Sequence, residues 1–256
     1  MTFEYVSVQD AKAADGVRMV VVSNVPSPWG EAAKGIFHMK AVPFKAVRLV
    51  YDDPELLEWA GQLGGPVVMY NDEAPRSGWA EILLLAERLA PTPALLPSAP
   101  EDRAVALGLC HELLGEEGLA WSRRLHSVDL GLREVGGFSL KTAQYLAKKY
   151  GHTSERGAAA GARANQLLGM FAARLRAQRA AGSAYYLGSV VSVVDVYAAA
   201  ALATFAPLPE AQCAMRGSTR KVFETHDEAT QTALDPILLE HRDMMYARHL
   251  ELPLSL

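Results

Sequence analysis

The chain has 256 residues, enough for one large domain or two smaller ones, each with its own core. Half of the residues are hydrophobic, 21% are charged and the formal net charge is -4, which argues against nucleic acid or an anionic membrane surface as the main partner. Cys110 and Cys213 are far apart and show no CxxC spacing, which argues against a disulfide scaffold or a zinc ribbon; both read as small core residues of helices.

In chain order, residues 1–16 read as an extension in front of the core, with Ser7 capping a short helix through Ala14 and Gly16 ending it. The run Arg18-Met-Val-Val-Val22 is β-branched, apolar and followed at once by turn residues, so a buried parallel-type strand is expected. A helix over about 28–40 follows, with Ser27 as its cap and Pro28 at its first position, where the missing N–H costs nothing. Phe44–Val50 alternates as a second strand, which makes a right-handed βαβ unit. Asp53-Pro54 opens a short helix to about Ala60, Gly64-Gly65 ends it, and Pro66 leads into the strand Val67–Tyr70. Ser77 is read as the cap of a helix on which Trp79, Ile82, Leu83, Ala86 and Leu89 recur at helical spacing.

Residues 91–100 are a proline-rich link and mark a domain boundary: an α/β domain over 17–90, the link, and an all-helical domain over 101–256. Helices are expected near 101–122, 122–149, 154–181, 192–205 and 231–249, punctuated by Gly136-Gly137, Gly151, Gly182 and Pro207/Pro209. Ser192 and Asp195 form a capping-box variant at the start of a long buried helix, a folding role. These two residues also interrupt the most apolar stretch, 187–206, so no membrane span is expected. The N-terminus lacks the basic and apolar regions of a signal peptide, so a cytoplasmic protein is expected. The seven histidines show no metal-ligand spacing, and no metal is expected.

The candidate site lies where the first strand gives way to the first helix. Ser27 puts a hydroxyl at a helix N-terminus, where free amides and the helix dipole favour an anion such as a thiolate. A plain capping role is the alternative for Ser27, and Ser23 and Asn24 are further donors at the strand end. Trp29, Trp79, Trp121, Phe138 and Tyr145 either line a pocket between the domains or belong to the core. Glu31 and Lys34 read as a solvated helix face.

These segments resemble, in order and spacing, those of the cytosolic glutathione transferases. The residues concerned are Ser27-Pro28-Trp29, the run Phe37-His38-Met39-Lys40-Ala41-Val42-Pro43-Phe44, Gly65-Pro66-Val67-Val68, Arg76-Ser77 and Ser192-Val193-Val194-Asp195. The resemblance implies a thioredoxin-like α/β N-terminal domain, an all-α C-terminal domain and a homodimer. It implies glutathione as co-substrate, with Ser27 donating a hydrogen bond to its sulfur so that the thiolate attacks a small hydrophobic electrophile. Trp29, Gly65, Pro66, Arg76 and Ser77 are then the glutathione-binding residues, with Pro66 as a cis-proline and Ser77 receiving the γ-glutamyl carboxylate. Two features depart from the pattern. Arg76 stands where Glu or Gln is usual, and Tyr51-Asp52-Asp53 is acidic where a basic residue often meets the glycyl carboxylate. They motivate the alternative of a non-catalytic protein with the same fold that carries a ligand or docks a partner. A thiol-disulfide reductase is disfavoured because position 27 is not cysteine.

Overall fold

The computed structural model describes residues 3–62 and 64–256. Its α/β layer runs β1 (Glu4–Tyr5), α1 (Val8–Lys12), β2 (Val17–Val21), α2 (Pro28–Met39), β3 (Phe44–Arg48), α3 (Pro54–Ala60), β4 (Val67–Tyr70) and α4 (Trp79–Leu89). The strands are ordered β1-β3-β2-β4. β3 pairs parallel with both β1 and β2, from Glu4 opposite Lys45 to Val21 opposite Arg48, while β4 runs antiparallel to β2. Every residue of β2 is buried, as a strand covered on both faces must be. That includes Arg18, whose guanidinium donates to the carbonyls of Ala14 and Asn71 at 2.6 and 2.8 Å.

Residues 3–16 are built into this layer rather than standing in front of it. β1 adds an edge strand, and α1, capped by Ser7 accepting from the Asp10 N–H, buries Ala11 against Val20, Val47 and Leu56. Ser77 is not the cap of α4 either. Gly78 holds that position, and the Glu81 carboxylate accepts its N–H at 3.2 Å.

The helical part comprises α5 (Pro100–Leu114), α6 (Leu119–Leu132), α7 (Leu140–Lys149), α8 (Ser154–Ala180), α9 (Val193–Leu202), α10 (Gly217–Glu224), α11 (Glu228–Ala233) and α12 (Pro236–Arg248). The expected helix over 101–122 breaks at residues 115–118, and 122–149 divides around Gly136-Gly137. Short, polar α10 and α11 escape a reading based on apolar periodicity. All ten residues of α9 are buried, and it packs against α2, α5 and α12. Among the described residues no helix is long and apolar enough to cross a membrane.

Glu31 and Lys34 are buried, contrary to the expectation of a solvated face. Their ion pair at 2.6 Å is covered by the C-terminal residues, where Lys34 Nζ and the Tyr5 hydroxyl both donate to the Ser255 carbonyl. Burial raises the Glu31 carboxyl above its usual range, opposed by the adjacent Lys34.

A third buried cation fixes the link between the layers. Lys40 Nζ donates to the carbonyls of Ala90 and Pro93, each at 2.7 Å, and pairs with Glu87 at 2.8 Å. Glu87 in turn accepts the Leu95 N–H, and the Leu95 carbonyl accepts the Val193 N–H at the head of α9. Lys40→Met leaves Glu87 and two carbonyls without their partner and is expected to cost about 3 kcal/mol. A lowered urea midpoint, partly restored by adding Glu87→Gln, checks this; an unmoved midpoint would remove the link from any stabilising role.

Candidate functional site

β2 delivers the chain to a loop, Val22–Val25, in which Asn24 takes a left-handed conformation (φ 62°) that asparagine tolerates better than most residues. Ser27 then occupies the N-cap position of α2. Its N–H donates to the Val25 carbonyl, its carbonyl accepts from the Glu31 N–H, and its hydroxyl makes no capping hydrogen bond. The side chain is 6% exposed and sits beside Gly30. An uncommitted hydroxyl at the positive end of a twelve-residue helix is a donor poised for an anion.

The Gly65–Pro66 peptide is cis. Gly65 lies over the end of β2, where a Cβ would come 3.3 Å from both the Val20 carbonyl and the Val22 N–H, so a larger residue would have to push the strand away. Trp29, Pro66 and Ser77 converge with Trp79 and Tyr197 around a gap of about 10 Å³, room for no more than a water. Trp29 turns inward. Its indole N–H donates to the Leu114 carbonyl at 2.7 Å, and its ring packs near Trp121 and Tyr150.

Arg76 is bridged through its backbone to Val68, and its guanidinium is taken by Glu73 at 2.5 Å. Glu73 also receives Arg88, at 2.6 Å. The Arg76 charge is therefore answered locally. Asp53, half of the acidic departure, is consumed as the cap of α3, where it accepts from the N–H groups of Glu55 and Leu56. A cation reaches the same corner from the helical layer instead. Lys149 of α7 stands 5.9 Å over the Tyr51 ring, and a Cβ on Gly64 would lie 3.8 Å from its Nζ. Burial, then the charge of Arg124, lowers its ammonium below the usual lysine range.

Alongside lies a cleft of about 430 Å³ between the two layers. Ser23, Asn24 and Tyr51 form one wall; Arg124 of α6, Tyr145 of α7 and Arg216 beside α10 form the other. Ser27 is not part of that wall, whereas the further donors Ser23 and Asn24 are. Of the five aromatics noted in the sequence, Phe138 and Tyr145 face the cleft, while Trp29 and Trp79 surround the small gap. Arg124, Lys149 and Arg216 were not singled out from the sequence. The signal that marks them is the lack of Asp or Glu three or four residues away, which leaves each without a partner along its own helix.

Ser192 and Asp195 are not on the wall of this cleft; they stand at the head of α9. Asp195 accepts the Ser192 N–H and hydroxyl, each at 2.8 Å, and the Tyr186 N–H, and its other contact is His241 Nε2 at 2.9 Å. Among the described residues no three His, Cys, Asp or Glu side chains are grouped so as to hold a metal ion.

Hydrogen bonds from Arg88 and then Arg76 hold the Glu73 carboxyl below the usual glutamate range. A depressed folded-state pKa contributes stability above the unfolded-state pKa, and that contribution disappears as pH falls through the folded value. Carboxyl NMR should show Glu73 titrating low, and Arg88→Ala should move it upward. A titration that stays put in the variant would mean the pair does not form in solution.

No family model and no curated protein matches the sequence. Solved structures do match the fold. A glutathione S-transferase from Methylobacterium radiotolerans, in complex with glutathione sulfonate, is 18% identical at a TM-score of 0.59, covering 91% of each chain. A glutathione transferase family member from Pseudomonas fluorescens with two glutathione bound is 14% identical at a TM-score of 0.60, covering 91% of this chain and 89% of the other. One from Methylobacillus flagellatus with glutathione bound is 13% identical at a TM-score of 0.62, covering 91% and 95%. The chain therefore has the fold of the glutathione transferases, a thioredoxin-like α/β domain followed by an all-helical one.

Proposed function

We propose that the protein is a serine-type member of the glutathione transferases that binds glutathione over the head of α2 and transfers its sulfur to an electrophile in the adjoining cleft. The observation that carries this reading is the uncommitted Ser27 hydroxyl at the N-terminus of α2, next to the cis Gly65–Pro66 edge and one loop away from a ligand-sized cleft. Ser27 donates to the glutathione sulfur. Together with the helix dipole it stabilises the thiolate, a gain of about two pKa units or roughly 3 kcal/mol. The backbone at Gly65 pairs with the cysteinyl part, and Pro66 and Trp29 shape the floor beneath it. Ser77 receives the γ-glutamyl carboxylate, with Arg76 held by Glu73 beside it. Lys149 answers the glycyl carboxylate in place of the basic residue missing after β3.

The thiolate then attacks the acceptor. In an addition to an activated double bond, the sulfur–carbon bond forms as the π pair moves to the neighbouring carbon, which takes up a proton from solvent. In a substitution, the carbon–halogen pair leaves as halide. A carrier role without catalysis is the second reading, favoured by the low exposure of Ser27 and its absence from the cleft wall.

Calorimetric titration with reduced glutathione and with S-hexylglutathione separates the readings when combined with turnover. Binding that is tighter for the hexyl adduct, with a loss of about a hundredfold in kcat for Ser27→Ala at similar glutathione affinity, supports the transferase. The same loss in Ser23→Ala instead would move the sulfur contact to Ser23. Binding of apolar ligands without glutathione and without turnover would favour the carrier. We also propose a cytoplasmic homodimer. Its mass by light scattering should be twice the 27.7 kDa of the chain, and a mass of 27.7 kDa would contradict it.

A further inference from the structure

The cleft beside α2 carries charge of one sign. Arg124 and Arg216 are the charged side chains on its wall, and no Asp or Glu lines it. Other arginines of this net-acidic chain are answered by carboxylates, as Arg88 by Glu73, Arg133 by Asp129 and Arg156 by Glu116, or by backbone carbonyls, as Arg18 and Arg123 are. Neither Arg124 nor Arg216 has an ion pair among the described residues.

The two arginines are presented differently. Arg124 is caged by aromatic rings, with its guanidinium carbon 5.8 Å from the Trp29 centroid, 5.7 Å from Phe138 and 6.0 Å from Tyr150. Its N–H groups make no hydrogen bond among the described residues and remain available to a planar acceptor. Arg216 is exposed, and its backbone N–H lies 3.5 Å from the Asn24 carbonyl, which joins the start of α10 to the β2–α2 loop. α10 begins with no side-chain cap and no acid in its first turn, and Ser218 and Thr219 add hydroxyls to the same wall. An uncharged acceptor would cover these cations and give them nothing in return, an unfavourable desolvation. A carboxylate would meet a guanidinium fork of matching geometry.

Building on the transferase reading, we propose that the acceptor is a carboxylate-bearing electrophile, its anionic end held between Arg124 and Arg216 and its apolar body lying against Phe138, Leu146 and Val222. The neutral hydrophobic acceptor implied by the family resemblance is then the poorer substrate.

Chlorodinitrobenzene and its carboxylate analogue chlorodinitrobenzoate test this. In each, the glutathione sulfur bonds to the ring carbon bearing chlorine, the carbon–chlorine pair departs as chloride and the thiol proton goes to solvent. The expected result is that Arg216→Gln lowers the ratio of kcat/KM for the benzoate to that for the neutral compound about tenfold, through KM of the benzoate, and that Arg216→Lys retains most of it. Arg124→Gln should act in the same direction. Ratios unmoved in both Gln variants overturn the proposal while leaving the transferase reading intact. A second arm needs no glutathione: chlorodinitrobenzoate should displace anilinonaphthalene sulfonate from the wild type and do so about tenfold less well from Arg216→Gln. If that difference appears while neither acceptor is turned over, the anion site stands and the transferase reading falls. If it is absent along with turnover, both fall.

Discussion

The structure depends on α9 being buried on all sides and on α2 lying directly against it. A helix without a solvent face cannot give its first amides to water, so they need partners inside the protein. The first of them, the Val193 N–H, goes to the Leu95 carbonyl, and Asp195 ties down the chain that leads into the helix: one oxygen accepts the Ser192 N–H and hydroxyl, and the other accepts the Tyr186 N–H and faces the His241 ring. On the other side, α2 approaches at Gly35, where a Cβ would lie 2.9 Å from the Val196 side chain. A glycine there lets the two helices meet closely, and that contact orients the α2 axis and with it the Ser27 end. The Ser27 end of α2 is therefore positioned through the packing of α2 on α9.

Charge is distributed with a similar economy. The ion pairs Lys40–Glu87 and Glu31–Lys34 are buried, one where the chain passes from one domain to the next and one beneath the C-terminal residues. Buried pairs of this kind contribute little net stability compared with apolar packing, but breaking them is costly, so they specify where the link and the tail must lie. Asp53 and Glu73 are likewise committed, to a helix cap and to two arginines. Around the cleft and its corner the cations have no carboxylate partner among the described residues: Lys149 stands near Gly64 and Tyr51, and Arg124 and Arg216 stand on the cleft wall. On a chain of net charge -4, that concentration sets the cleft apart from the rest of the surface.

The sequence by itself determined the elements whose signals are local. The β-branched run of β2, Pro28 at the first turn of α2, the Ser7 and Asp53 caps and the breaks at Gly136-Gly137 follow from backbone sterics and short-range hydrogen bonding, and each is present within a residue or two of its expected position. The two-domain fold was legible through the resemblance carried by the order of motifs from Ser27 to Asp195. Tertiary structure alone decided the rest. It drew Glu4–Tyr5 into the sheet, moved the α4 cap from Ser77 to Gly78, buried Glu31 and Lys34 under the C-terminus, and turned the Trp29 indole N–H toward Leu114. It also gave the cleft its cations, from α6 and the approach to α10. Those residues are neighbours only because two layers pack face to face, and the composition of a cavity wall depends on such long-range contacts, which no local periodicity encodes.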